Sequence, residues 1–395
     1  MRIGINGLYL STPYSGIGQY TINLLRALSE IDHTNKYFIF TNAKIQFEFP
    51  PNFRVIIIDP IPLFPKSFLS RFIWEEYQLG NAIEQYKLDI FHGLYQSLPR
   101  GVEKIGSIVT IHDAIPWRFP AEREQTAYRW YSDIRKNLLT KRAKKIVSIS
   151  ETTKLDLAPI YGMKPETIEV TYESVDSIFL TTPTEKEIND CKKKFELPQK
   201  YILYSGGLKR HKNLRMLIKS FSILSKTYKY PGDLLILGAV RNTMAVSKAI
   251  YYKPEDLMKY AKLMKVGDRV HIIGFISRSE MSTLLHTAEA FISLSLYEGF
   301  GLPALEAVTA GIPAVLSRIG AFQEVIKDAG VYVYPYGPHR IAEELNSVLI
   351  DQKFQANLKQ QAKKRAVFFD QYKIAQRVLE IYQEVYDDCV TSFEP

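Results

Sequence analysis

Short apolar runs alternate with helix-patterned segments along almost all of the 395 residues. The runs fall at residues 2–8, 36–41, 54–58, 88–92, 105–111, 145–149 and 168–172, then at 201–205, 233–237, 269–273, 290–295, 313–317 and 331–334. Val, Ile, Leu, Tyr and Phe dominate them, as in strands buried on both faces. Between them, segments such as Tyr20 to Ile31, Asn213 to Tyr228 and Ser279 to Ala288 carry apolar residues at helical spacing. Alternation of this kind confines the chain to parallel sheets with helices on both faces, an α/β class. The length exceeds one ordinary core, so two doubly wound, Rossmann-like domains are expected. The break falls near Leu180 to Lys200, where Thr181-Thr182-Pro183-Thr184 reads as a turn-rich linker and Tyr201 restarts a strand. This predicts domains at 1–182 and 183–370. A terminal helix follows from about 371, with Ile374, Val378, Ile381, Tyr382 and Val385 on one face.

In such folds ligands gather at the carboxyl ends of strands. The segment Glu298-Gly299-Phe300-Gly301-Leu302-Pro303-Ala304-Leu305-Glu306 follows the run 290–295 and opens a helix. Pro303 suits the first turn, where its missing N–H costs nothing. Gly299 and Gly301 let backbone approach a ligand, and the N–H groups near Leu302 form an anion site. Carboxylates on both sides of an anion site suit a phosphate that carries sugars at both ends, a nucleotide-sugar. A surface turn with two solvated glutamates fits the spacing equally well.

E-G-F-G-L-P-x-x-E resembles the E-x7-E signature of the retaining glycosyltransferases of family 4, which have the GT-B fold. Further segments match that family in order. Ser15-Gly16-Ile17-Gly18-Gln19-Tyr20 resembles its N-terminal glycine loop, Thr110-Ile111-His112-Asp113 its strand-end histidine, and Ser148-Ile149-Ser150-Glu151 its S-x-S-E step. Tyr204-Ser205-Gly206-Gly207 followed by Lys212-Asn213-Leu214 resembles the opening of its second domain, and Gly311-Ile312-Pro313-Ala314-Val315 its G-x-P-V-V strand. The resemblance reaches to about residue 330. It implies two domains facing across a cleft, the acceptor on 1–182, the nucleotide-sugar on 183–370, and a helix at 371–395 crossing back to the first domain.

It also implies roles. Lys212 and Arg210 would meet the pyrophosphate leaving group together with the N–H groups near Gly301 and Leu302. Some members carry an arginine where this chain has Gly207, so Arg210 is the nearest source of a second charge. Glu298 would hold hydroxyls of the donor sugar, Glu306 those of the ribose, and His112 would face the sugar from the first domain. Asp113 would orient His112 or cap the following loop. Gly16 and Gly18 would open a helix at Gln19, with the Gly18 N–H free for phosphate or sugar. Gly207, Ile276 and Phe300 complete the donor contacts, the backbone at Ile276 meeting the base. A guanine reader would want a carboxylate there. Ser277 and Arg278 favour uracil instead, hence a UDP-hexose such as UDP-glucose over GDP-mannose. The transfer would go to a hydroxyl of a glycan or lipid-linked glycan in polysaccharide or cell-envelope biosynthesis. No cofactor is expected, and no D-x-D pair stands in a strand-end turn to hold a metal on the diphosphate.

Composition removes other classes. Gly16-Ile17-Gly18 lacks a small residue at Thr21 and lies too far past its strand for a dinucleotide turn. Two cysteines, Cys191 and Cys389, make neither a disulfide framework nor a zinc site and point to a reducing, cytoplasmic setting. No run of about 18 apolar residues exists, and Met1 to Asn6 reads as a strand, not a leader. The net charge of +9 favours phosphates or an anionic membrane surface. Between Arg123 and Lys145 lie Arg129, Arg135, Lys136, Lys141, Arg142 and Lys144, with Tyr128, Trp130 and Tyr131 among them. This reads either as a solvated helix face or as a face toward anionic lipid at the inner side of the membrane or toward a phosphorylated acceptor. No nucleic-acid motif accompanies it. Two rival functions remain: a UDP-sugar epimerase of the same architecture, and a polyanion-binding protein with a degenerate cleft. Intact Glu298, Glu306, His112 and Lys212 argue against the second.

Overall fold

A computed structural model describes residues 1–45, 47–61, 68–119, 126–238 and 251–391. The chain divides into two compact units: Met1–Ser174 with Phe369–Pro395, and Val175–Phe368. The first holds a seven-stranded sheet made of β1 (Arg2–Asn6), β2 (Lys36–Thr41), β3 (Phe53–Ile57), β4 (Ile90–Gly93), β5 (Gly106–Ile111), β6 (Lys145–Ser148) and β7 (Ile168–Val170). The second holds six strands: β8 (Tyr201–Ser205), β9 (Asp233–Leu237), β10 (Val270–Ile273), β11 (Ala290–Ser293), β12 (Ala314–Ser317) and β13 (Gly330–Val333). Every apolar run read as a strand is one.

All neighbours pair in parallel. The spatial orders are β3-β2-β1-β4-β5-β6-β7 and β10-β9-β8-β11-β12-β13. Each order reverses once, between β1 and β4 and between β8 and β11. Connections on either side of such a point leave in opposite directions and open a crevice at the strands' carboxyl ends. Burial follows the same logic. Central strands β4, β5, β11 and β12 are wholly buried, whereas the edge strands β3, β7, β10 and β13 keep partly exposed positions.

The helix Gln371–Thr391 belongs to the first unit. Ala375, Val378, Ile381, Tyr382 and Val385 enter that core, against the helix Gly16–Ile31 and the strands β4 and β5. Ile374, expected on this face, is only half-buried, and Ala375 lies inside instead. The division at Ser174 precedes the linker marked by Pro183. Phe179 is fully buried in the second unit, and Ser282 donates to the Ile178 carbonyl at 3.0 Å, so this segment is anchored before the linker begins.

The helix Thr126–Arg142 does not present its cations together. Arg135 is 4% exposed and ion-paired to Glu75, and Arg142 forks onto Glu76 at 2.7 and 2.8 Å and reaches Glu103 at 2.8 Å. Lys141 and Lys144 point outward, Lys136 is half-buried, and Lys145 leads β6, 3.8 Å from Glu169. The expected lipid-facing surface is therefore corrected: two of its arginines are interior ion-pair partners, as long planar cations opposite buried carboxylates must be. Arg123 and the side chains of Tyr128, Arg129 and Trp130 lie outside the described residues.

Candidate active site

The reversal point between β8 and β11 collects most of the residues singled out for the second domain. After β8 the chain passes Gly206 and Gly207 into the short turn Arg210–Lys212, then into the helix Leu214–Thr227. After β11 it runs through Ser295 and Glu298 to the helix Leu302–Thr309. Leu296 N–H donates to the His211 carbonyl at 2.7 Å and ties the two loops together. Lys212 Nζ lies 2.5 Å from Glu298 Oε1, and Ser295 Oγ donates to the same oxygen at 2.6 Å. Among the described residues, Oε2 accepts no hydrogen bond. Burial pushes the Glu298 carboxyl up, but Lys212, then His211 and the two hydrogen bonds, outweigh it and hold it below the usual carboxylate range. The ammonium has three donors. One is engaged by Glu298, which leaves two for an oxyanion.

Gly301 caps the helix Leu302–Thr309 with φ +97°, and a Cβ there would sit 2.5 Å from the Phe322 ring. Only glycine fits. Pro303 contributes no N–H, and Ala304 and Leu305 donate back to the Gly301 carbonyl at 2.9 and 3.2 Å. Among the described residues, the N–H groups of Gly301 and Leu302 find no acceptor in the chain. They remain available to an anion. Phe300 is buried and shapes this loop from inside, Gly207 is exposed, and the Arg210 guanidinium is exposed with its carbon 5.1 Å from the Tyr252 ring centre.

Glu306 is 3% exposed and already has a cation. Arg278 Nη1 donates to its Oε1 at 2.7 Å, while the guanidinium lies 4.5 Å over the Phe179 ring. The distance in sequence hides this pair, and no motif marks it. Arg278, read in the sequence as favouring uracil over guanine, is thus engaged by Glu306. Its partner is the carboxylate expected to bind ribose. Ser277 is likewise committed, capping the helix Arg278–Thr287 by accepting from Glu280 N–H at 3.2 Å. The main-chain groups of half-buried Ile276 make no hydrogen bond within the chain, which suits contact with a base.

In the first unit the glycine loop behaves differently from expectation. Ser15 caps the helix, its Oγ accepting from Gly18 N–H at 3.0 Å, so that helix opens at Gly16 and not at Gln19. The Gly18 N–H is thereby taken, and the expectation that it is free for a ligand is corrected. A Cβ at Gly18 would stand 2.2 Å from the Thr12 carbonyl oxygen, so glycine is needed there for close backbone approach. Gly16 is exposed with open space around it.

His112, just past β5, is buried between two acceptors: Nε2 is 2.9 Å from the Leu94 carbonyl and Nδ1 3.2 Å from Glu173 Oε1. The Tyr20 ring meets it edge-on at 4.8 Å. Glu173 thus orients His112, and no spacing announced it. Asp113 is the cap, accepting from Ile115 N–H at 3.0 Å. His92 packs inside, between Tyr382 Oη at 2.9 Å and Thr110 Oγ1 at 2.8 Å. Burial, then the neighbouring His112, lowers its pKa to about 3.

With this geometry established, comparison with known proteins is informative. Residues 14–178 match the family model described as Glycosyltransferase Family 4, and residues 185–365 match Glycosyl transferases group 1. Together the two matches span residues 14–178 and 185–365 and support a GT-B glycosyltransferase of family 4 type. It is 25% identical over 364 residues to O-antigen chain mannosyltransferase B of Escherichia coli, covering 86% of this chain and 88% of that one. Solved structures agree on the fold. Sucrose-phosphate synthase from Thermosynechococcus elongatus superposes with a TM-score of 0.75 at 18% identity, over 98% of this chain and 100% of that one. Anabaena HepE in complex with UDP and glucose gives 0.73 at 16%, over 97% and 99%.

Proposed function

We propose that this glycosyltransferase moves a hexosyl group from a nucleotide-sugar to a hydroxyl of a glycan or lipid-linked glycan, with retention at the anomeric carbon and without a metal ion. The observation that carries the reading is the Lys212–Glu298 pair at the β8/β11 reversal point, beside the open N–H groups of Gly301 and Leu302. As the bond from the anomeric carbon to the diphosphate breaks, negative charge grows on the leaving oxygen. Lys212, Arg210 and the helix N–H groups are donors placed to take it. Glu298 Oε2 holds donor-sugar hydroxyls, and Glu306 holds the ribose. The acceptor oxygen attacks from the face that the phosphate leaves, and the departing phosphate oxygen takes the acceptor's proton.

UDP-hexose is the donor proposed first, since neither chain neighbour of Ile276, Phe275 or Ser277, is the carboxylate that a guanine reader would want. A GDP-mannose donor is the second reading, favoured by the relative named as a mannosyltransferase. Calorimetry with UDP, GDP and their sugars decides between them: the proposal expects UDP to bind at least tenfold tighter than GDP, and the reverse order installs the second reading. Glu306→Gln should weaken the free nucleotide, while Glu298→Gln should weaken only the intact nucleotide-sugar. Equal losses in both variants would remove the assignment of roles. A free epimerised sugar formed without acceptor would replace the transferase by an epimerase.

A further inference from the structure

The reversal point of the first unit, between β1 and β4, carries a charged cluster that donor chemistry leaves unused. Tyr9 follows β1 in the short turn Leu8–Ser11, and Tyr95 and Ser97 follow β4. Arg71 and Glu75 approach from the segment after β3, and Arg135 from the helix Thr126–Arg142. Arg71 Nε and Nη2 donate to Glu75 Oε1 at 3.1 and 3.0 Å. Arg135 Nη2 pairs with Glu75 Oε2, and its Nη1 donates to Ser97 Oγ at 2.8 Å. One carboxylate thus serves two guanidinium groups, which leaves a formal excess of one positive charge. Glu75 is fully buried and Arg135 nearly so, and Arg135 Nε has no acceptor. Arg135 and Glu75 compensate each other in the interior, so the excess charge sits on Arg71 at the edge of the cluster. The backbone supplies a second sign of function: Glu75 lies in a π-helical turn, Trp74–Gln78, a feature concentrated at functional sites.

The mouth of the cluster is open. Arg71 keeps 28% of its side chain exposed, between the rings of Tyr95 at 4.6 Å and Tyr9 at 5.2 Å, and its Nη1 donates to Tyr9 Oη at 2.9 Å. Its Nε–Nη2 edge is engaged by Glu75. What remains is a set of single donors, the second N–H of Nη1 and of Nη2 on Arg71 and the hydroxyl of Tyr9. That set suits a tetrahedral anion better than a planar carboxylate, which wants a bidentate fork. Burial would raise the Glu75 carboxyl, but Arg135 and then Arg71 hold it below its usual range, so the ion pair persists at neutral pH.

We infer that Arg71, with Tyr9 and Tyr95, is the mouth of an anion subsite on the first unit that takes a phosphate ester carried by the acceptor. The assignment of the anion to the acceptor rests on the transferase reading above; the subsite itself does not. Two sources share this chemistry, a sugar phosphate and a lipid diphosphate. The test titrates glucose 1-phosphate and farnesyl diphosphate into the full-length chain and its variants. Arg71→Gln should weaken binding of at least one probe tenfold or more, and Lys212→Ala should leave that binding unchanged. Tyr9→Phe keeps the Arg71–Glu75 pair, so the fold is not at risk, and should weaken the same probe several-fold. The probe that responds names the source. Binding that ignores both Arg71→Gln and Tyr9→Phe, or that falls in Lys212→Ala, overturns the subsite. A chain that binds phosphate through Arg71 but takes no nucleotide-sugar keeps the subsite and removes the transferase reading.

Discussion

The two reversal points of this molecule are alike in topology and opposite in electrostatics. At β8/β11 every cation of the ion pairs has its own carboxylate: Lys212 has Glu298, and Arg278 has Glu306 and, at 3.8 Å, Asp176. At β1/β4 one carboxylate is shared by two arginines. The first arrangement carries no excess of cation over carboxylate, and two donors of Lys212 stay available to a ligand. The second is over-supplied with cation, and its deepest members cannot leave. A site whose groups are already paired can bind a ligand with little net change of charge. A site that holds excess charge is built around an anion.

The contrast breaks most easily at Arg135. Arg135→Met leaves Glu75 buried with one partner, and loss of a buried partner costs about 3–5 kcal/mol. Thermal or denaturant unfolding measures it. The double variant with Glu75→Gln should recover part of the loss, and a single variant as stable as wild type would mean the cluster is not interior.

Lys212→Ala tests the balanced site. It should remove roughly 2–4 kcal/mol of transition-state stabilisation, as loss of one preorganised donor does. Rates of donor hydrolysis or transfer read this directly, and an unchanged kcat would take Lys212 out of the chemistry. Activity should also survive a chelator. Abolition by EDTA with rescue by Mg²⁺ would transfer the charge role from Lys212 to a metal.

His92 offers a smaller effect in the first unit. Its pKa is lowered on folding from 6.5 to about 3, chiefly by burial. The folded state therefore binds fewer protons than the unfolded one between those values. Its contribution is complete above the unfolded value and is lost as pH falls toward the folded one. Stability should drop by about 2 kcal/mol from pH 6.5 to 5 through this group. A melting series of wild type against His92→Gln checks it: the acid slope should flatten in the variant.

The least effect is expected on the outer face of the helix Thr126–Arg142. Lys141→Glu and Lys144→Glu should move stability by no more than about 0.5 kcal/mol, as surface changes do. A larger loss would show that these lysines, like Arg135 and Arg142, have interior partners.

The residues legible in the sequence share one property: they are close together along the chain. Glu298 to Glu306 is a single strand–loop–helix step, and Gly206 to Lys212 is another. Strand periodicity and the Gly301–Pro303 pair announce such steps because local backbone sterics decide them. The apolar runs likewise named every strand, since burial on both faces permits nothing else. Gly18 shows where local reading stops. A glycine at a helix start was legible, but whether its N–H was free depended on the rotamer of Ser15.

What only the tertiary structure decided was which charges face each other. Arg278 and Glu306 lie in different helices, Glu173 reaches His112 from beyond β7, and Arg71, Glu75 and Arg135 meet from separate helical segments. Pairing of this kind depends on strand order. That order is set by the packing of whole layers, and no residue spacing encodes it. The sequence alone therefore determined two parallel α/β units and a strand–loop–helix step with a glycine-capped helix in the second. The fold decided that the basic helix of the first unit turns Arg135 and Arg142 inward, because a buried Glu75 and a buried Glu76 must each meet a cation in the low-dielectric interior.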